Sequence, residues 1–255
     1  GQYAPGSTFK VVSTLALLRS GMTAQSAVEC TPSAVVSGYT FENYPAYPAE
    51  HETTIPLRLA IAHSCNTALI NARDQVPAED VAAAAGALGV GQSNPEGWPG
   101  FLGAVPEDAT GTEHAASLIG QGQVLASPLA VATMAASVAD GAAVSPVLVV
   151  GPPEVADDPA SAPAQPLTTE EAEQLREMMR AVVQEGTGTQ LADVPGPPVS
   201  AKTGTAESGS GDGARLDSWM VAFQGDLVVA VVVEAGGEGT QAAGPVVEDF
   251  LRAVG

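Results

Sequence analysis

The chain reads as an α+β domain in which helices pack against an antiparallel sheet. Three observations predict this class. Apolar residues recur at helical spacing through much of the first 190 residues. From Val199 the pattern changes to short β-branched and aromatic runs separated by turn residues. An apolar stretch from Pro245 to Ala253 then closes the chain as a helix. A length of 255 residues allows one large domain or two small ones. The reading is a single domain, 1–255, with a helix-rich part over about 7–190 and a strand meander with its helix over about 199–254. Hydrophobic residues make up 45% but aromatics only 4%, so the core must be built from Ala, Val and Leu.

The elements follow in order. Pro5-Gly6 is a turn, and Ser7 to Ser20 is a helix stopped by Gly21. Residues 22–54 are loop-rich, carrying Pro32, Pro45, Pro48 and the tyrosines Tyr39, Tyr44 and Tyr47. A short helix from Ile55 to His63 runs into Ser64-Cys65-Asn66, and a second continues from about Thr67 to Asp74. Residues 78–88 are helical, and 91–112 form a Gly/Pro-rich loop around Trp98 and Phe101. Ser127-Pro128 supplies an N-cap and a first helical position for a helix ending before Gly141. Val147 to Val150 is expected as a short strand, followed by a Pro/Ala/Asp loop over 151–166. Thr168 with Glu171 forms a capping box for a helix that ends at Gly186. Val199 to Thr205, Ser218 to Phe223 and Leu227 to Glu234 are strands, joined by a Ser/Gly turn at 208–213 and by Gly225-Asp226.

Charge narrows the function. Nine Lys+Arg against 29 Asp+Glu give a net charge of −20, which excludes a phosphate-tracking nucleic-acid binder and disfavours an anionic membrane surface. No apolar run reaches the ~18–20 residues needed to span a bilayer. Three scattered histidines and two cysteines do not make a zinc site. Cys30 and Cys65 are open to either reading, one disulfide or two buried thiols.

Three motifs carry chemistry. Ser7-Thr8-Phe9-Lys10 puts a hydroxyl and an amine one turn apart at a helix start. There the serine N–H is an unpaired donor, the helix dipole favours developing negative charge, and a neutral lysine can take the hydroxyl proton. Ser64-Cys65-Asn66 lies between helices, where Ser64 can relay a proton and Asn66 hold a carbonyl. In Lys202-Thr203-Gly204-Thr205, Lys202 and Gly204 face one side of a strand and Thr203 and Thr205 the other. Gly204 is expected to clear the strand edge for a substrate backbone. Each motif alone also fits ordinary surface helix, turn or bulge chemistry.

Ser-x-x-Lys, Ser-x-Asn and Lys-Thr-Gly in this order form the signature set of penicillin-interacting serine enzymes. Their flanks, Tyr3-Ala4-Pro5-Gly6, Ala62-His63 before Ser64, Thr67-Ala68 after Asn66 and Ala206-Glu207 after Thr205, resemble the transpeptidase domain of class B-type penicillin-binding proteins. So do Gly120-Gln121-Gly122 before Ser127-Pro128-Leu129, Val182-Val183 through Gly186-Thr187, and the run from Trp219 to Val233. The resemblance covers essentially the whole chain.

It implies a β-lactamase/transpeptidase-like fold and a serine acyl transfer that crosslinks peptidoglycan stem peptides through an acyl-enzyme on Ser7, which β-lactams also acylate. By the same resemblance Lys10 is the general base. Ser64 and Asn66 form the second catalytic element. Lys202, Thr203, Gly204 and Thr205 bind the substrate carboxylate and its neighbourhood. The N–H groups of Ser7 and Thr205 form the oxyanion hole. No metal or cofactor is implied. The expected partners are stem peptides, β-lactams and cell-wall synthesis proteins, and not nucleic acid. The expected place is the extracytoplasmic face of a bacterial membrane, with the anchor upstream. Because the family's sheet normally takes strands from chain before the nucleophile, and six residues precede Ser7, a truncated domain lacking those strands is expected.

The alternatives are a D,D-carboxypeptidase, which differs in using water as acceptor, and a non-catalytic β-lactam sensor or scaffold. A class A-type β-lactamase would need a glutamate to activate water, and no Glu-x-x-Leu-Asn-like loop lies between Asn66 and Lys202. A Cys65–His63 nucleophile pair is disfavoured by adjacency. His51 and His114 have no partner pattern. Trp98 and Phe101 anchor a loop or line a cleft, and Tyr39, Tyr44 and Tyr47 are open to the same two readings. An extracytoplasmic location favours a Cys30–Cys65 bridge.

Overall fold

A computed structural model describes residues 1–92, 100–148, 163–209 and 215–254. A 3₁₀ turn, Gly6–Phe9, leads straight into α1, Lys10–Arg19. Nine successive residues of α1, Lys10 to Leu18, are buried. A helix buried all round lies at the centre of a core, and α1 packs against α4 (Ala78–Ala87) and α7 (Thr169–Glu185). The Ser7 helix expected from the sequence is thus a 3₁₀ turn continued by an α-helix, which Gly21 ends with φ at +100°.

The C-terminal sheet is the meander that the change of period predicts. Strands β5 (Ser200–Ser208), β6 (Arg215–Gln224) and β7 (Leu227–Val233) pair antiparallel in that order. Lys202 sits opposite Val221 and Gly204 opposite Trp219. The two faces of β6 divide by alternation. Trp219, Val221 and Phe223 join the main core with α1 and with α6 (Pro128–Asp140). Met220 and Ala222 turn to the other side and pack under Val247 and Leu251 of α8 (Ala243–Val254). Among the described residues no strand pairs with the outer edge of β7.

The caps fall where the sequence places them. Ser127 Oγ accepts from Ala130 N at 3.1 Å, and α6 ends at Gly141 with φ +89°. Thr168 and Glu171 form both halves of the capping box on α7.

Other expectations need correction. The loop-rich stretch 22–54 contains four short strands: β1 (Ala27–Glu29), β2 (Ser33–Val36), β3 (Tyr39–Glu42) and β4 (Thr54–Pro56). β2 and β3 form a hairpin whose turn residues Ser37 and Gly38 both have positive φ, +50° and +83°, as a type I′ turn requires. The helix expected from Ile55 begins at Leu57, because Thr54–Pro56 pairs with β1. This helix, α2 (Leu57–Ala62), is followed by α3 (Asn66–Asn71) and then a 3₁₀ turn, Arg73–Gln75, where a longer helix was expected. α5, Gly111–Ser117, begins inside the stretch read as loop. Val147 and Leu148 are not in a strand. The rest of that expected strand, Trp98 and most of the 208–213 turn lie outside the described residues. Phe101 anchors its loop, its carbonyl accepting from Ser127 Oγ.

Cys30 and Cys65 are bridged, 35 residues apart, with their Cα atoms at 6.2 Å. The bond joins the segment after β1 to the N-cap of α3, and both cysteines are fully buried. Thiol titration of the unreduced, unfolded protein should therefore find none free. Replacing both cysteines by serine should lower unfolding free energy by roughly 3–4 kcal/mol, on the chain-entropy account of a loop this long. A denaturation midpoint unmoved by the double substitution would contradict it.

Candidate active site

The nucleophile motif and the Lys-Thr-Gly strand are locked together by residues without side chains. A Cβ on Gly6 would strike the carbonyl oxygen of Thr205, and one on Gly120 would strike the carbonyl oxygen of Gly6. Gly6 N donates to Gly120 O at 2.9 Å. A Cβ on Gly204 would lie 2.9 Å from Thr8 Cγ2 and 3.0 Å from both Pro5 O and Thr8 N. Gly204 therefore makes room for the turn carrying Ser7, a packing role beside the one expected of it at the strand edge. The 3₁₀ turn presses onto β5, and its first N–H groups, Ser7 among them, have no partner within the turn.

The Ser64 segment is held from three sides. Gly186 approaches Ala62 too closely for any Cβ, and Thr187 N donates to Ala62 O at 3.1 Å. This clips the end of α7 onto the end of α2. Asn43 Oδ1 accepts from Asn66 N at 2.9 Å and Thr67 N at 3.3 Å, while its Nδ2 donates to Thr31 O at 3.1 Å. The Cys30–Cys65 bridge fixes the residue between Ser64 and Asn66. Under these restraints Ser64 adopts φ +60°, one of only three non-glycine residues with positive φ among the described residues. A left-handed backbone at a residue with a Cβ persists only where its surroundings over-determine it.

That conformation aims both Ser64 oxygens at amines. Lys10 Nζ lies 2.7 Å from Ser64 O, 2.7 Å from Asn66 Oδ1 and 3.3 Å from Ser64 Oγ. Lys202 Nζ lies 2.9 Å from Ser64 Oγ and 3.1 Å from Thr203 O. Asn66 Nδ2 donates to Glu42 O at 2.8 Å, which orients its amide so that the oxygen faces Lys10. Both lysines are fully buried, and among the described residues neither has a carboxylate partner. Burial first, and the charge of Lys202 second, hold Lys10 well below the ordinary lysine range. Burial lowers Lys202 to about 7.

Ser7, Ser64, Asn66, Thr203, Gly204 and Thr205 line one cleft of about 600 Å³, with the two lysines beneath it. All eight residues singled out from the sequence are thus gathered at one place. No hydrogen bond links Ser7 to Lys10 in this arrangement. Thr203 Oγ1 lies 2.6 Å from Thr187 Oγ1, and Thr205 Oγ1 accepts from Gly239 N at 3.0 Å. Tyr44, open in the sequence to a place on the cleft wall or as a loop anchor, lines the cleft, and sequence reasoning missed Ile119, Gln121, Thr187, Glu238 and Thr240, which line it too. The quoted flanks Gly120-Gln121-Gly122 and Gly186-Thr187 held a signal for two of them. Tyr44 and Glu238 lie on loops with no motif. Elsewhere His51 and His63 stack at 4.2 Å, and His114 Nε2 lies 3.3 Å from Arg73 O. Among the described residues no cluster of His, Cys, Asp or Glu is placed to hold a metal ion.

A strained serine between two buried amines, set against a Lys-Thr-Gly strand, defines a class of serine acyl-transfer site. The pattern described as "Penicillin binding protein transpeptidase domain" matches residues 1–252, and the chain belongs to that family. Among curated proteins it is similar to the peptidoglycan D,D-transpeptidase PbpA of Mycobacterium tuberculosis, 32% identical over 260 residues that cover 95% of this chain and 52% of the relative. The chain thus spans about half the length of the curated relatives it matches. Penicillin-binding protein A from M. tuberculosis, solved as a ceftriaxone acyl-enzyme complex, superposes with a TM-score of 0.80 at 30% identity, covering 99% of this chain and 60% of that one. A peptidoglycan synthase complex that coordinates polymerization and crosslinking contains a chain with TM-score 0.80 and 29% identity, matched over 99% of this chain and 46% of its own length.

Two outcomes follow from the geometry. Ser64→Gly relieves the left-handed backbone while Ser64→Ala retains it, so the glycine variant should be the more stable by about 1 kcal/mol; equal denaturation midpoints would rule out strain at this residue. For Lys202, the unfolded chain holds a proton between pH 7 and the ordinary lysine value of 10.5 that the folded chain has released. The lysine's contribution to stability therefore rises with pH across that window. The melting temperature of Lys202→Met, relative to the unmodified protein, should accordingly gain as pH falls from about 10 to 7. A difference that stays flat across that range would show that Lys202 is buried charged.

Proposed function

We propose that the chain is a serine D,D-transpeptidase domain that crosslinks peptidoglycan stem peptides through an acyl-enzyme on Ser7, acylated likewise by β-lactams. One observation carries the reading furthest: a fully buried lysine without a carboxylate, one turn from Ser7, hydrogen-bonded to the serine and asparagine of the second motif. A neutral amine has two N–H bonds. With these directed to Ser64 O and Asn66 Oδ1, the lone pair of Lys10 is left to accept a proton.

In this mechanism Ser7 Oγ attacks the carbonyl carbon of the penultimate D-Ala, and its proton passes to Lys10. The tetrahedral oxyanion is held by the N–H groups of Ser7 and Thr205, donors of the kind whose loss typically raises the barrier by ~2.7–4 kcal/mol. Collapse breaks the C–N bond, and the departing D-Ala amine takes a proton relayed through Ser64, which both lysines touch. An acceptor amine then attacks the ester, gives up its proton along the same relay, and restores Ser7. Lys202, Thr203 and Thr205 hold the donor carboxylate, whose charge favours protonated Lys202. Asn66 holds the donor amide.

The reading places the domain at the extracytoplasmic face of the membrane, among cell-wall synthesis proteins. The relatives' names and the synthase complex support that placement, and the disulfide fits an oxidising compartment. Among the described residues no helix is long and apolar enough to cross a membrane.

A fluorescent penicillin should label the unmodified chain covalently and leave Ser7→Ala unlabelled. With a peptide ending in D-Ala-D-Ala, an added acceptor amine should yield an amide product faster than hydrolysis. Absence of labelling would mean a silent domain. Hydrolysis that outpaces aminolysis would mean a carboxypeptidase, and rapid turnover of the penicillin a lactamase.

A further inference from the structure

The catalytic cleft has a second polar wall that the mechanism does not use. The loop between β7 and α8 folds over β5: Gly239 N donates to Thr205 Oγ1 at 3.0 Å, and Gly239 lies against the Gly204 carbonyl too closely for a Cβ. This fastening brings Glu238 to the cleft beside the strand that docks the acyl donor, with Thr240 next to it and Tyr44 also on the wall. Glu238 is half-buried, and its backbone oxygen accepts from Ser218 Oγ at 3.0 Å, so its position on the loop is fixed. Tyr44 is braced edge-on by Tyr47 at 5.5 Å. Its phenol is pushed up by burial and then by the Glu238 charge, which places the carboxylate within electrostatic reach of the ring.

Among the described residues no lysine or arginine pairs with this carboxylate. The two lysines bind Ser64, Asn66 and Thr203. Five arginines pair with carboxylates elsewhere: Arg19 with Glu171, Arg58 with Glu177 and Glu185, Arg73 with Asp74, Arg215 with Glu234, and Arg252 with Glu248. Arg176 and Arg180 donate to backbone carbonyls at 2.9 Å and 2.6 Å. An unpaired carboxylate beside Tyr44, in a cleft to which the proposed mechanism also assigns the donor carboxylate, suits a ligand that carries positive charge as well.

The geometry points to Glu238, backed by Tyr44, as a subsite for an ammonium group on the acyl donor's side chain, next to the scissile amide. The inference rests on the transpeptidase reading above and adds a specificity to it. The donor is bipolar: its carboxylate lies at Lys202, Thr203 and Thr205, and its ammonium at Glu238. The side chain of a β-lactam would occupy the same place.

Three penicillins test it: benzylpenicillin, the same molecule with an amino group on the carbon bearing the phenyl ring, and the same molecule with a carboxylate there. Second-order acylation rates are measured for each at a pH that keeps the amine protonated. In the unmodified chain the ammonium form should acylate fastest and the carboxylate form slowest. In Glu238→Gln the ammonium-to-neutral rate ratio should fall about fivefold, the scale of one partly solvated charge pair. In Glu238→Lys the order should invert. Because each ratio is taken within one preparation, incomplete folding of a variant cancels. Acylation by all three with ratios unchanged across the variants overturns the subsite and leaves the transpeptidase reading standing. Acylation by none, even in the unmodified chain, overturns both.

Discussion

Lys10 and Lys202 meet at Ser64 Oγ with no carboxylate to neutralise either, and the surrounding architecture follows from keeping them there. A buried ammonium without a counter-charge is among the more expensive groups a fold can hold, and the usual release is to lose its proton. For an acyl-transfer site that release is useful. Burial lowers the proton affinity of both lysines, and the charge of Lys202 lowers that of Lys10 further. Ser64 Oγ lies within reach of both amines and can carry a proton between them.

Such a site tolerates little movement, and the fold supplies rigidity from unrelated directions. Three glycines let backbone press on backbone: Gly6 on Thr205, Gly204 on the Pro5–Thr8 turn and Gly120 on Gly6. The disulfide and the Asn43 side chain fix the start of α3, and Thr187 fixes the end of α2. Ser64 is left where two helices meet, with a backbone conformation it would not adopt alone. The strain is local, and the restraints that hold it come from three other parts of the chain, at Cys30, Asn43 and Gly186-Thr187. This is why Ser64 can point a carbonyl and a hydroxyl at the same two amines.

Much of this was legible in the residues and some was not, for physical reasons. The catalytic motifs are short because each occupies one turn or one strand edge, so the spacing within each is set by local geometry and can be read from sequence. Helix ends were legible where a side chain or glycine closes them, as at Thr168, Ser127, Gly21 and Gly141. The strands of residues 27–56 were not, because three- and four-residue strands show too few alternations to stand out, although Ser37-Gly38 marked a hairpin turn. The packing role of Gly204 was not legible because the sequence names the glycine but not the segment packed on it. Tyr44 could not be assigned to the cleft and Glu238 escaped notice because loops reach the cleft through tertiary packing alone.

The composition acquires a structural meaning from the same facts. The chain has only two lysines, both inside the site, and seven arginines, all engaged outside it. Arginine stays charged in nearly any surroundings, which suits ion pairs and helix-end carbonyls, whereas a lysine can be brought to neutrality by burial. The two kinds of base are therefore divided by task as well as by place. In a chain of net charge −20, the cleft floor gathers two lysines with no carboxylate partner among the described residues. A ligand's own carboxylate would complete it, raising the proton affinity of Lys202 as it binds and leaving Lys10 as the base.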